Sequence, residues 1–281
     1  AILYLPEAEP PYPGVLVPCG HSSNGKARDL YQRAPIVMAM NGLAALCYDP
    51  LDQGERHQLL DADGKPIITR STQGHNLAGV GAILLGRNTA TYRIWDGMRA
   101  IDYLAARPEV DAERIGCTGI SGGGTMTSYL MALDDRIGAA APGCYLTSFR
   151  RLLETVGPQD AEQTIHAQIA YGMDHADYIL MRAPQPTLIM TATGDYFDID
   201  GAWHSFRQAK RWYGKLGFPE RVDMVEVDSK HGFPIEMRVA AARCMRRWLM
   251  HIDDAVTVIA FPVASDERLQ CTSGGQFMLL E

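Results

Sequence analysis

Thr118-Gly119-Ile120-Ser121-Gly122-Gly123-Gly124-Thr125 is the stretch on which the reading of this chain turns. Inside it, Gly119 to Gly123 has the spacing G-x-S-x-G. A short apolar run, Arg114 to Thr118, precedes it and reads as a buried strand. Thr125 to Leu133 follows, with Met126, Tyr129, Leu130 and Leu133 at helical spacing. Strand, sharp turn, helix is the context that holds a serine in a strained conformation with its hydroxyl exposed above a sheet. The neighbours of such a serine must be small so that backbone can pass close to backbone. The positive end of the following helix favours an oxyanion, and the backbone N–H of Gly122 is expected to be one of its donors.

A serine hydroxyl is a weak nucleophile that needs a base, and the base needs an orienting acid. With this turn the expected chain order is serine, acid, histidine. His166, His175, His204 and His231 lie beyond Ser121 and before the last helix. His166 and His175 fall in a segment expected to roof the site, and His204 sits within a helix pattern. His231 follows the strand-like run Val222 to Val227 in a short loop, which makes it the candidate base. The acid should follow the strand Pro186 to Thr191. Asp195 is nearest that strand's end, Asp198 is its competitor, and Asp200 reads as a helix N-cap. One strand earlier, Ala139 to Phe149 contains no carboxylate. A second oxyanion donor should come from the loop Pro18 to Gly25, with the N–H of Ser23 preferred and Ser22 or His21 as alternatives.

Outward from these positions, strand-like runs alternate with amphipathic helical stretches, which predicts an α/β fold: a mostly parallel sheet covered by helices. Residues 51–90 read as a long polar connection rich in glycine. Residues 147–182 read as a mostly helical insertion within a catalytic domain of residues 1–252. Residues 253–281 read as an appendage with a strand-like run from Ala255 to Phe261.

The chain has 281 residues, of which 47% are hydrophobic and 21% charged, so one sizeable core is expected. A net charge of -7 argues against a nucleic-acid partner. No apolar run reaches the ~20 residues that span a bilayer, so no membrane is expected. The six cysteines are scattered, with no C-x-x-C pair, and read as small buried hydrophobes.

At this point the sequence resembles the acetyl xylan esterase and cephalosporin-C deacetylase branch of the α/β-hydrolases, with dienelactone-hydrolase-like relatives. The carriers are CGHSSNGK, YDPLDQGER, IWDGMRAIDYLAARPEVDAERIG, TGISGGGT, PTLIMTATGDYFDIDG and DSKHGF. The resemblance implies Ser121 as nucleophile, His231 as base, Asp195 as acid and Ser23 as an oxyanion donor. It implies an acyl-enzyme route that removes acetyl from a plant polysaccharide such as xylan, without cofactor. Methyl esters of uronic acids in pectin or glucuronoxylan are the alternative. It also implies a secreted or periplasmic protein, with further domains in a longer parent.

For the pocket, Arg56 is a candidate for meeting a carboxylate, against the plainer reading of an ion pair with a nearby acid. His21, His75 and Tyr145 are further candidates. Gly20 to Lys26 matches the phosphate-cradling G-x-x-x-x-G-K, but Ala27 stands where a magnesium-binding Ser or Thr belongs, so nucleotide binding is a distant alternative. The spacing of Asp195, Asp198 and Asp200 misses a calcium loop, and no metal is expected.

Overall fold

A computed structural model describes residues 1–280. The described residues hold a seven-stranded sheet: β1 (Ile2–Tyr4), β2 (Tyr12–Leu16), β3 (Ala44–Cys47), β4 (Val110–Ile120), β5 (Ile137–Gly143), β6 (Thr187–Gly194) and β7 (Val222–Lys230). Their order across the sheet is β1-β3-β2-β4-β5-β6-β7. Only β1 is antiparallel to its neighbour; every other pairing is parallel. This is the α/β-hydrolase arrangement expected from the sequence.

Successive strand residues point to opposite faces, so a strand buried on both sides must be apolar throughout. Leu16, Leu46, Ala140 and Ile189 pack on one face with Ile101, Leu104, Tyr129 and Leu130. Their neighbours Val15, Ala45, Ala139 and Leu188 pack on the other with Val37, Met38, Met237 and Ala241. The first face is covered by α3 (Thr89–Ala105), α4 (Gly122–Leu133), α6 (His175–Met181) and α7 (Ile199–Leu216). The second is covered by α1 (Asp29–Met40) and α8 (Ile235–Met245), whose last turn widens over Arg246–Met250. Among the described residues, no helix is long and apolar enough to cross a membrane.

Three expectations about elements need correcting. The connection 51–90 contains a 14-residue helix, α2 (Ser71–Leu84). Its glycines read as breakers, but two of them sit where the helix meets other chain. A Cβ at Gly74 would lie 2.7 Å from Asp52 Cβ, and one at Gly79 would lie 2.7 Å from Ala161 Cβ. The segment 147–182 is not mostly helical: it carries α5 (Phe149–Thr155) and α6, seven residues each, around an irregular stretch. The run 255–261 forms no strand. It lies across α1 instead, where Asn41 bonds both the N–H and the carbonyl of Thr257 through its side chain.

Candidate active site

In a parallel sheet the carboxyl ends of the strands open onto one crevice, and the loops there collect functional groups. β4 ends at Ile120, β6 at Gly194 and β7 at Lys230, so Ser121, Asp195 and His231 each occupy the first position beyond a strand. Ser121 has φ 60° and ψ -126°, in the region that favours glycine. The strain is held by a backbone bond from Ser121 N to Gly143 O at 3.0 Å and by helix α4 starting at the next residue. The surrounding glycines are required: a Cβ on Gly123 would lie 2.2 Å from Pro18 O, and one on Gly124 would lie 2.1 Å from Gly143 O.

His231 Nδ1 lies 2.8 Å and 3.0 Å from the two carboxylate oxygens of Asp195. Asp195 has no side-chain exposure, whereas His231 is partly exposed. A carboxylate in that position fixes the imidazole with its proton on Nδ1 and leaves Nε2 free to act as base. Asp198 is elsewhere. It caps α7, accepting from Gly201 N at 2.9 Å, and it takes two 2.8 Å hydrogen bonds from Arg151. Asp198, rather than Asp200, is therefore the N-cap.

The sequence reading missed Tyr196, although it adjoins Asp195. Its ring stacks on His231 with centroids 4.3 Å apart, and its hydroxyl lies 2.9 Å from His231 Nε2. Burial raises the Tyr196 phenol's pKa, and the nearby Ser121 hydroxyl opposes that rise. Among the described residues no direct hydrogen bond joins Ser121 Oγ to His231, whose Nε2 is met by the Tyr196 hydroxyl instead. Tyr196 is about half exposed, at 47%.

The sequence model of the acetyl xylan esterase family matches residues 1–178 of this chain. The chain belongs to that family. Among curated proteins it is similar to "Putative hydrolase YtaP" of Bacillus subtilis (strain 168), with 25% identity over 169 residues, which is 59% of this chain and 56% of that protein. Among solved structures it is similar to the methylesterase BT1017, with a TM-score of 0.70 and 26% identity over 91% of this chain and 54% of that one. A carbohydrate esterase family 15 glucuronoyl esterase from Caldicellulosiruptor kristjansonii shares the fold, with a TM-score of 0.62 and 18% identity over 94% of this chain and 76% of that one. The chain thus spans about half the length of YtaP and of BT1017.

Within this family frame, several expected pocket residues are placed otherwise. The Ser23 carbonyl accepts from Gly54 N at 3.0 Å, and Ser23 lines a groove under the C-terminal tail. The loop residues against the turn are Gly20, where a Cβ would lie 3.1 Å from Ser121 Cβ, and His21, whose Cε1 lies 3.3 Å from the place of a Cβ on Gly122. Arg56 is committed to Asp96 at 2.7 Å and to the carbonyl of Asp49 at 3.1 Å, which is the plainer of its two readings. Tyr145 is buried beneath the site, edge-on to Tyr129 and Phe197, and lines no open space. Lys26, which would touch phosphates in a nucleotide loop, is buried between Asp49 and Glu55, so that reading falls.

The insertion closes over the site from the side of α4. Asp160 Oδ2 lies 3.0 Å from His21 Nε2 and 2.8 Å from His75 Nδ1. Glu162 is fully buried, meets His21 Nε2 at 3.1 Å and pairs with the buried Arg93. Neither Asp160 nor Glu162 carried a signal in the sequence, because two acids at i and i+2 in an irregular stretch look like surface polarity.

Proposed function

We propose that this chain is a serine carboxylic-ester hydrolase acting on an esterified carbohydrate, and that it removes small acyl groups such as acetyl from a plant polysaccharide such as xylan. The reading is carried by one observation. The hydrogen-bonded Asp195–His231 pair and a strained Ser121 at a helix N-terminus all stand just beyond the carboxyl ends of parallel strands. Family membership supports the ester bond as the target.

In this reading Ser121 Oγ attacks the ester carbonyl as His231 Nε2 takes its proton, and Tyr196 has moved aside. The oxyanion is met by the N–H of Gly122 and by the loop at Gly20 and His21, each donor contributing ~10²–10³ in rate. The alcohol departs with the proton from His231, leaving an acyl-enzyme. Water then attacks that acyl group and gives its proton to His231, which passes it to Ser121 Oγ as the serine leaves and the acid is released. The loss of Arg56 to Asp96 removes the residue that best supported a uronate ligand, which favours the acetyl reading. The methyl-ester reading rests on the similarity to BT1017.

The test is product analysis with acetylated xylan and methyl-esterified pectin. Acetate release from xylan is expected, and methanol release from pectin alone would reverse the assignment. Ser121→Ala should lower either activity by ~10³-fold or more and abolish covalent labelling by a fluorophosphonate. Labelling that persists in the variant places the nucleophile elsewhere.

A further inference from the structure

Four side chains from three distant stretches converge behind the nucleophile. They are His21 after β2, His75 on α2, and Asp160 and Glu162 in the insertion. His75 and Glu162 have no side-chain exposure, and Asp160 has 6%. The four donor atoms lie within 4.8 Å of one another.

The tautomer of His75 carries the argument. Its Nε2 lies 2.9 Å from the carbonyl oxygen of Leu51, which can only accept, so Nε2 bears the proton. In a neutral imidazole Nδ1 is then a bare lone pair. That lone pair points at Asp160 Oδ2, 2.8 Å away, and at His21 Nε2, 3.3 Å away. His21 Nε2 in turn faces Asp160 Oδ2 and Glu162 Oε1 at 3.0 Å and 3.1 Å. Converging lone pairs repel one another, so either shared protons or a metal ion must lie among them. A proton on His75 Nδ1 would make a fully buried imidazolium next to Glu162, whose charge is already paired with the buried Arg93. A single proton on His21 satisfies only one of its three neighbours.

A metal ion satisfies all four at once. Metal-bound histidines characteristically donate their other ring N–H to a carbonyl, as His75 does to Leu51. Bonds of ~2.0–2.1 Å at tetrahedral angles place ligand atoms ~3.3 Å apart. The separations here run from 2.8 Å between His75 Nδ1 and Asp160 Oδ2 to 3.3 Å between the two imidazole nitrogens, with Glu162 Oε1 3.1 Å from His21 Nε2. Two neutral imidazoles and two carboxylates form a hard-to-borderline set that suits zinc and its neighbours better than calcium. Arg93 approaches Glu162 through Oε2, which leaves Oε1 toward His21.

We propose that His21, His75, Asp160 and Glu162 form a binding site for one divalent transition-metal ion of the zinc class. This runs against the sequence expectation of no metal. The site would fix His21 beside Gly122 and tie the insertion to the loop after β2. It does not depend on which ester is cleaved.

The test uses the full chain stripped with a chelator and titrated with Zn²⁺ by calorimetry, and with Co²⁺ by visible absorption. One ion per chain is expected, with the intense visible bands of four-coordinate cobalt. Asp160→Asn and His21→Ala should each weaken Zn²⁺ binding by at least about 100-fold. His21 is partly exposed, so its variant tests the site even where a change at a buried ligand unfolds the chain. Failure of the stripped wild type to take up either ion overturns the proposal. So does undiminished uptake in a folded His21→Ala variant, and either result assigns the four groups to a proton-sharing network instead.

Discussion

Asp195 and Asp198 stand three positions apart and serve different ends, which a pair of variants separates. Asp195 holds His231 by its Nδ1, so Asp195→Asn leaves the packing intact but favours the wrong imidazole tautomer. A fall in kcat of about 10⁴-fold on 4-nitrophenyl acetate is expected, with little change in Tm. Asp198 caps α7 and pairs with Arg151. Asp198→Ala should cost ~1 kcal/mol through the lost cap and lower Tm by ~2–4 °C, while kcat at 25 °C holds within about twofold. The opposite pattern in the two variants would reassign the acid. The placement of Ser121, Asp195 and His231 at strand ends was legible because each announces itself locally: a glycine-framed turn, a carboxylate just past one strand, a histidine just past the next. Tyr196 and the His21 cluster were not, because nothing in a tyrosine beside an aspartate, or in acids at 160 and 162, states what the fold brings opposite them.

At the scale of elements, the strands and the long amphipathic helices were readable from apolar periodicity. α2 was not, because its sequence, STQGHNLAGVGAIL, has no charged residue to mark a polar face and spends its glycines on close approach to Asp52 and Ala161. The insertion was misjudged for a related reason: it is held by specific polar anchors rather than by helix periodicity. α6 begins with a capping box between Asp174 and Asp177, and its first residue, His175, accepts from Thr147 N at 3.1 Å. His175 is wholly buried among Tyr145, Phe149 and Tyr178. Burial lowers its pKa to about 3. Unfolded, the same imidazole titrates near ~6.5. Between these values the unfolded chain binds the extra proton, so the stability His175 contributes is full above ~6.5 and is lost as pH falls toward 3. Tm measured from pH 7 to pH 4 should therefore decline in the wild type. In His175→Gln, which removes the titrating group, the decline should be shallower even though Tm at pH 7 is lower. An unchanged slope would show that other groups carry the acid sensitivity.

Across the whole molecule, the C-terminal segment behaves as a strap rather than an appendage. It leaves α8, crosses α1 through Asn41 and Gln32, and ends on the connection after β3. There Glu55 receives the backbone N–H groups of Cys271 and Thr272 and the Thr272 hydroxyl, while its other side meets buried Lys26. Burial pushes the Glu55 carboxyl up, but the bonds from Lys26, Thr272 and Cys271 outweigh it and lower its pKa to about 2. A depressed carboxylate contributes stability above its unfolded value of ~4.3 and loses it as pH falls toward the folded value. The strap's hold on Glu55 should thus weaken below pH 4. Hydrogen exchange at pH 3 should show residues 264–280 losing protection while the strands β4, β5 and β6 keep theirs. Thr272→Ala removes one of the bonds to Glu55 and should move that loss to a higher pH. Protection of the strap that survives to pH 2.5 in the wild type would mean that Asn41, Gln32 and Gln276 hold it without Glu55. The same strap backs onto the loop of residues 20–27, since Asn24 also bonds Asp266 at 3.0 Å, so its release should loosen the segment that sets Gly20 and His21 against Ser121.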